Sequence, residues 1–165
     1  MGRVFMTAAI GIDPGLSGAI ARVADDGARY EVHDMPIIKL GSKKQYDIHR
    51  LFEMLVDFGE GLPCYCEKVG AMPKQGLAST FTFGMGYGIA QALAIAAGHR
   101  LSFVRPQTWK ARMLRDASKT KHAACGVARN LFPEAELTGK RGGLKDGRCE
   151  ALLIAELARR ENYAG

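Results

Sequence analysis

Four carboxylate residues lie where strands or helices are expected to begin or end. Asp13 closes an apolar run, and Glu67 lies within a later apolar run. Asp146 and Glu150 are four residues apart, a spacing that places both on one side of a helix. Hard divalent cations take oxygen ligands, and two such ions about 3.5–4 Å apart activate water and stabilise the leaving oxygen in phosphodiester cleavage. The four residues therefore predict a metal-dependent phosphodiesterase site.

Three of these carboxylates also have purely structural explanations. Asp13 precedes a Pro-Gly pair and can shape a turn. Glu67 can form a surface ion pair with Lys68, and Asp146 can cap the N-terminus of a helix. Their combination with a basic surface favours the functional interpretation.

The positive charge of the chain is concentrated in one third of its length. The 165 residues include 23 Lys/Arg and 17 Asp/Glu, which gives a formal net charge of +6. Between His99 and Arg148 there are 12 Lys/Arg and 4 Asp/Glu, so this segment carries +8 and the remainder −2. Such a basic block is typical of proteins that bind nucleic acid, although solvated helix faces can have the same composition.

Length and composition exclude several classes of protein. A chain of 165 residues with 47% hydrophobic residues suits one globular domain, residues 1–165. The longest apolar stretch, Gly88 to Gly98, is too short for a membrane span, and the N-terminus lacks a secretory signal pattern. The cysteines lack zinc-site spacing. We therefore expect a cytoplasmic protein with reduced thiols, an organelle stroma being the alternative location.

Hydrophobic periodicity predicts an α/β architecture. Strands are expected over residues 8–13, 18–24, 29–33, 64–69 and 101–105. Helices are expected to begin at Asp47, near Ser79, at Pro106, near Lys119 and near Asp146. Residues 39–44 and 138–145 are expected to form basic loops. This order predicts an antiparallel meander that leads into a mixed five-stranded sheet, flanked by helices, with the first strand at the centre.

Four segments in family order resemble the RuvC family of Holliday-junction resolvases, in particular its phage, bacterial and chloroplast branch. The segments are GIDPGLSGAIA (11–21), YCEKVGAMPKQG (65–76), VRPQTWK (104–110) and LKDGRCEALLIA (144–155). The resemblance covers nearly the whole chain and implies a ribonuclease-H-like fold and a homodimer. It also implies paired nicking of opposed strands in a four-way DNA junction, with two Mg²⁺ or Mn²⁺ ions per active site and neither a nucleotide cofactor nor a membrane partner.

The same resemblance implies roles for individual residues. The metal-binding tetrad would comprise Asp13, which bridges the metals, with Glu67, Asp146 and Glu150. Lys110 matches a catalytic basic position close to the scissile phosphate. The expected DNA contacts are Lys68, Met72, Lys74, Gln75, Arg105, Lys110, Lys119, Lys121, Lys140, Arg141 and Lys145.

The chain departs from the bacterial enzymes of this family at two places. An aromatic residue that wedges into the junction follows the second acidic residue in those enzymes, whereas here the candidates are Met72, Phe81 and Phe83 or the glycine-rich loop itself. Core packing is the favoured role for the two phenylalanines. The last acidic pair, Asp146 and Glu150, replaces two aspartates spaced i, i+3.

A glycine-rich segment and the single tryptophan are assigned structural roles. The segment 84–88 does not follow a strand and lacks the spacing of a dinucleotide-binding fingerprint. Its glycines are expected to allow the close approach of another helix, across the dimer. Trp109 is expected to pack in the core, with stacking on a base as the less favoured alternative.

Three other functions are weighed against the resolvase. Residues GIDPG followed by Gly18 also resemble the first phosphate loop of the actin and sugar-kinase superfamily, but 165 residues leave no room for the second lobe. A non-catalytic nucleic-acid-binding module is disfavoured by the four filled acidic positions. A nuclease of the same fold that acts on other branched DNA or on structured RNA is not excluded by the sequence.

Overall fold

The computed structural model describes residues 7–70, 76–117, 120 and 122–163. The strands are β1 (Ala8–Asp13), β2 (Ala19–Ala24), β3 (Tyr30–Asp34), β4 (Ile37–Leu40), β5 (Lys43–Tyr46), β6 (Pro63–Glu67) and β7 (Arg100–Val104). The helices are α1 (Ile48–Asp57), α2 (Leu77–Ala96), α3 (Pro106–Met113), α4 (Ala123–Leu131) and α5 (Asp146–Tyr163). In this part of the chain, no helix has the length and apolar character needed to cross a membrane.

A mixed five-stranded sheet of order β3-β2-β1-β6-β7 forms the middle layer. The first three strands are an antiparallel meander, and β6 and β7 then add parallel to β1. Strand β1 is central because it is apolar on both faces, with every residue buried except the half-buried Asp13. This arrangement confirms the predicted mixed sheet and its central first strand.

Helices cover both faces of the sheet and bury two apolar clusters. One face packs against α1 and α2, where Ile10, Leu51 and Ala90 belong to the same cluster. The other face packs against the helices from α3 to α5, where Phe132 and Leu152 are fully buried. The candidate site lies on this second face.

Residues 39–44 are not a loop, which corrects the sequence-based expectation. Strands β4 and β5 pair antiparallel as a separate hairpin, with Lys39 opposite Lys44. Gly41, at φ +63°, provides the left-handed conformation that the tight turn needs. Because the hairpin is rich in lysine and largely exposed, its sequence lacks the apolar alternation by which strands are recognised.

Two expectations for α2 are also wrong in part. The Phe81 side chain is 73% exposed rather than packed in the core, whereas Phe83 is half-buried. Gly86 makes room for the ring of Tyr46 from the same chain, where a Cβ would overlap that ring. The glycine therefore serves a strand-to-helix contact and not a helix-to-helix contact.

A disulfide joins Cys125 in α4 to Cys149 in α5, which corrects the expectation of four reduced thiols. Cys64 and Cys66 are free and buried, as expected. The two bonded cysteines are 24 residues apart. Their spacing gives no signal, because only the packing of α4 against α5 brings them together.

We expect Gly11→Ala to destabilise the protein by about 3 kcal/mol or more. A Cβ at Gly11 would overlap backbone atoms of Ala151 and Ala155 in α5. Relieving that overlap would require the whole helix to shift. The control is Gly126→Ala in α4, where a Cβ meets no described atom within 4 Å, so this change should stabilise by about 1 kcal/mol. Denaturant unfolding of both variants measures the difference, and equal free energies of unfolding would contradict this packing.

The buried carboxyl of Glu156 in α5 is expected to make the free energy of unfolding depend on pH in the acid range. Its side chain accepts hydrogen bonds from Arg159 Nε at 2.7 Å and Arg160 Nε at 2.7 Å, and the residue is 4% exposed. Burial raises the pKa of this carboxyl, but the hydrogen bonds and charges of the two arginines outweigh burial, so the pKa is lowered. Because the pKa of Glu156 is lower in the folded state than in the unfolded state, its ionised carboxylate stabilises the fold at any pH above the unfolded-state pKa. This stabilisation is lost as the pH falls through the folded-state pKa.

We therefore expect the free energy of unfolding of the wild type to fall more steeply below about pH 4.5 than that of Glu156→Gln. The glutamine variant lacks the carboxylate that the arginines stabilise. It therefore loses no stability from protonation at position 156 as the pH falls. Denaturant unfolding between neutral and acid pH gives the two slopes. Glu53→Gln, a change at an exposed position in α1, should keep the wild-type slope, and an unaltered slope in Glu156→Gln would refute the assignment.

Candidate metal centre

Two neighbouring parallel strands bring Asp13 and Glu67 to the same edge of the sheet. Ile12 lies opposite Cys66 in the register of β1 and β6. The next residues, Asp13 and Glu67, therefore lie side by side at the carboxyl ends of the two strands. Side chains alternate along a strand, so Asp13 projects from the same face as Gly11, the face covered by α5. The strand register thus fixes two of the predicted carboxylates.

Helix α5 adds the third carboxylate, that of Glu150. The helix lies so close to β1 that position 11 has room only for a glycine. The first turn of α5 is held by a second close contact, in which Gly147 packs against the carbonyl of Ser17. One oxygen each from Asp13, Glu67 and Glu150 lies within 4.8 Å of the other two. These three residues form the carboxylate cluster.

The carboxylate cluster is electrostatically unfavourable without a cation. Burial, followed by the charges of Glu150 and Glu67, raises the pKa of Asp13 to about 7. Burial also raises the pKa of Glu150, and the charge of Glu67 adds to that effect, although Lys110 opposes it. Three converging oxygens in a partly desolvated site are the donor set that Mg²⁺ or Mn²⁺ takes, and such an ion would relieve the repulsion. The residues present therefore fit the expected metal.

Helix α3 supports the cluster with Trp109 and Lys110. The fully buried indole Nε1–H of Trp109 donates a hydrogen bond to Glu67 Oε1 at 2.7 Å. Lys110 Nζ lies 3.7 Å from Glu150 Oε1 and 5.2 Å from the centroid of the Trp109 ring. Core packing was correctly predicted for Trp109, but the hydrogen bond was missed. The signal was available, because a buried indole N–H usually finds a partner.

Asp146 lies at the margin of the site and not within the group of three. It begins α5, and its Oδ1 lies 3.4 Å from both His122 Nδ1 and Cys125 Sγ. Its side chain is 57% exposed, although its charge contributes to the raised pKa of Glu150. The helical spacing correctly placed Asp146 near Glu150, but it could not show that the carboxylate turns towards α4.

The predicted DNA contacts divide into three groups. Those with exposed cationic side chains are Lys68, Arg105, Lys110, Lys140 and Arg141. Lys145 instead has its Nζ 2.9 Å from Asp34 Oδ2, so its charge is already paired. The remaining predicted contacts lie outside the described residues: Met72, Lys74, Gln75, Lys119 and Lys121.

We expect Trp109→Phe to destabilise the metal-free protein by about 1–3 kcal/mol, because the buried Glu67 carboxylate loses a hydrogen bond. The same change should weaken Mn²⁺ binding by about 10- to 100-fold, since Glu67 is no longer held in position. Denaturant unfolding and titration calorimetry measure the two effects. Tyr30→Phe is the control, because it removes only an exposed bond from the Glu134 N–H. Equal effects of the two changes would argue against this role for Trp109.

The fold of this chain is similar to those of two solved RuvC structures. "T. thermophilus RuvC in complex with Holliday junction substrate" is similar with a TM-score of 0.57 and 15% identity, over 96% of this chain and 94% of that chain. A second Thermus thermophilus RuvC structure gives a TM-score of 0.51 and 16% identity, over 96% and 95%. No family model matches the chain, and no curated protein matches it in sequence. The chain therefore has an α/β, ribonuclease-H-like fold like that of these RuvC structures.

Proposed function

We propose that this protein is a divalent-metal-dependent endonuclease that resolves four-way DNA junctions by paired nicks. The observation that carries the proposal is the carboxylate cluster: Asp13, Glu67 and Glu150 converge within 4.8 Å. The cluster is built on a fold similar to that of a RuvC structure in complex with a Holliday junction substrate. The exposed cations around it provide contacts for phosphates of any sequence.

The carboxylate cluster, with Asp146 beside it, would hold two Mg²⁺ or Mn²⁺ ions. Asp13 would hold the ions together with Glu67 and Glu150, since oxygens of all three residues converge within 4.8 Å. When bound, such ions activate water and stabilise the leaving oxygen of a phosphodiester. The chain itself holds the ligands in place through the Trp109 bond to Glu67 and the attachment of α5 to β1.

Lys110 is proposed to neutralise charge on the scissile phosphate. Its Nζ is beside Glu150, yet its side chain is 47% exposed and can reach a phosphate that approaches the cluster from solvent. A fixed cation at that point favours the more negative transition state over the ground state. Lys68 and Arg105 follow β6 and β7 at the same edge of the sheet, and they can position the flanking backbone.

A homodimer would supply the two active sites that paired nicks require. Three large apolar side chains are exposed at four-residue intervals along α2, namely Leu77 at 91%, Phe81 at 73% and Met85 at 41%. This spacing places them along one side of the helix. An exposed apolar stripe of this kind is stabilised when a second surface covers it, and we assign that surface to a second copy of the chain.

We expect Glu67→Gln to reduce nicking of a four-way junction by about three orders of magnitude or more in Mg²⁺, while junction binding persists. The amide keeps the shape of the side chain but lacks the charge that a metal ligand needs. Gel-shift binding and single-turnover cleavage of the same labelled junction give the two readouts. Full activity of this variant would disprove the site assignment.

Three comparisons complete the experiment. Glu53→Gln, an exposed change in α1, controls for the loss of one acidic charge and should cleave normally. Wild type mixed with Glu67→Gln should form mixed dimers that nick one strand of the junction, whereas independent monomers would give two unlinked nicks. Three-way junctions, linear duplexes and structured RNA, assayed alongside, define the substrate class.

A further inference from the structure

Four side chains of metal-ligating type meet where α4 and α5 begin. They are His122, Cys125, Asp146 and Cys149, and they come from the segments HAAC (122–125) and DGRC (146–149). Each segment has its two ligand types three residues apart, a spacing that brings both side chains to one side of a helical turn. The carboxylate cluster itself contains none of these four residues.

The distances between these side chains are those of a tetrahedral zinc site. Zinc takes four ligands, with bonds of about 2.0–2.2 Å to nitrogen and oxygen and about 2.3 Å to sulfur, so two of its ligand atoms are about 3.3–3.8 Å apart. Asp146 Oδ1 lies 3.4 Å from His122 Nδ1 and 3.4 Å from Cys125 Sγ. Cys125 is in turn bonded to Cys149, so all four residues are linked by direct contacts.

Reduction of the disulfide is needed before the two sulfurs can bind a metal ion. A dithiol reductant breaks the S–S bond between Cys125 and Cys149 by transferring two electrons and two protons. The products are two protein thiols and the cyclic disulfide of the reductant. One Zn²⁺ ion then binds both sulfurs and displaces their two protons to solvent.

The surroundings of the four side chains suit a bound metal ion. Cys125 and Cys149 are buried, whereas His122 and Asp146 are about half exposed, so an ion can enter from solvent on their side. Both cysteines lie within the first four residues of their helices, where the helix dipole stabilises a thiolate. His122 precedes α4 as its N-cap residue, but its side chain makes no capping hydrogen bond. Its ring is therefore not needed by the helix.

We propose that the reduced protein binds one Zn²⁺ ion through His122, Cys125, Asp146 and Cys149, which we term the thiolate cluster. Thiolate ligands select zinc over Mg²⁺, which takes oxygen ligands, so the two clusters take different ions. Cys149 directly precedes Glu150, and zinc would therefore hold the turn of α5 that carries a carboxylate-cluster residue. The spacing of the cysteines alone gives no zinc signal, because each is paired with a histidine or an aspartate. The zinc site does not depend on the proposed nuclease function.

Titration of the reduced and the oxidised protein with Zn²⁺ and Co²⁺ tests the proposal. The protein is reduced with a dithiol, which is then removed by anaerobic gel filtration. The reduced form should bind one equivalent of Zn²⁺ about 100-fold or more tightly than the oxidised form, measured by competition with a chromophoric chelator. Co²⁺ should give the sulfur-to-cobalt charge-transfer absorption of a thiolate site in the reduced form alone. Absence of that absorption from the reduced protein would overturn the proposal.

Substitutions identify the ligands. Cys149→Ser and His122→Gln should each weaken Zn²⁺ binding by the reduced protein about 100-fold or more, since loss of a ligand exceeds the 10- to 100-fold effect typical of a ligand's supporting partner. The matched controls are Cys64→Ala, which removes a free cysteine of β6, and His49→Gln, which removes an exposed histidine of α1. Both should keep wild-type affinity, and equal losses in the controls would refute the assignment. Thermal unfolding checks that each variant is folded, and the exposed position of His122 makes its substitution independent of core packing.

Glu67→Gln separates the thiolate cluster from the carboxylate cluster. This variant should keep the tight Zn²⁺ site of the reduced protein. If it loses that site while Cys149→Ser keeps it, zinc binds at the carboxylate cluster and the present proposal is wrong. If the wild type cleaves a four-way junction but shows no sulfur-to-cobalt absorption when reduced, only the zinc site is wrong. If zinc binds through Cys149 but no junction is cleaved in either redox state, only the nuclease function is wrong.

Discussion

The close contact between β1 and α5 is the constraint on which the rest of the structure depends. A side chain larger than hydrogen at Gly11 would overlap the backbone of Ala151 and Ala155, so the helix rests directly on the strand. Asp13 and Glu150 come from these two elements, and the distance between their carboxylates is set by that contact. A shift of α5 outward would separate the third oxygen from the other two. The spacing of Asp13 and Glu150 is therefore a consequence of backbone packing, whereas Glu67 is also held by the hydrogen bond from Trp109.

Such packing is needed because the carboxylate cluster itself opposes folding. Burial and mutual repulsion raise the pKa values of Asp13 and Glu150, which shows that the charged forms are disfavoured where they stand. The apolar residues of α5 on the same face, among them Leu152 and Ile154, are fully buried and provide the compensating stability. Trp109 connects the two roles, because it packs in this core and also donates to Glu67. A site that is unfavourable when empty is well suited to bind cations strongly.

The parts that could be predicted from the sequence are those encoded by local pattern. The central strand is recognised as an apolar run that ends at Asp13, and the helical spacing places Glu150 on the face that meets it. Side-chain direction at a helix end is not local, so the turn of Asp146 towards His122 could not be foreseen. The Cys125–Cys149 bond depends on how α4 lies across α5. The lysine-rich hairpin was missed because its strands are exposed and carry no apolar alternation.

Net charge along the sequence is a poor guide to which cations lack an acidic partner in the folded chain. Within the basic segment, Lys145 and Arg148 both bind the carboxylate of Asp34. Burial raises the pKa of Asp34, but the hydrogen bonds and charges of these two cations outweigh that effect and hold the pKa below its usual value. Outside that segment, Lys43 and Lys44 have no acidic partner among the described residues. Lys145 and Arg148, which are held at 2.9 Å and 2.7 Å from Asp34, gain less from a phosphate, because one close ion pair is exchanged for another. On the proposed function, the cations without a described acidic partner would gain the most from a DNA backbone, and they include Arg105, Lys140 and Arg141 within the basic segment.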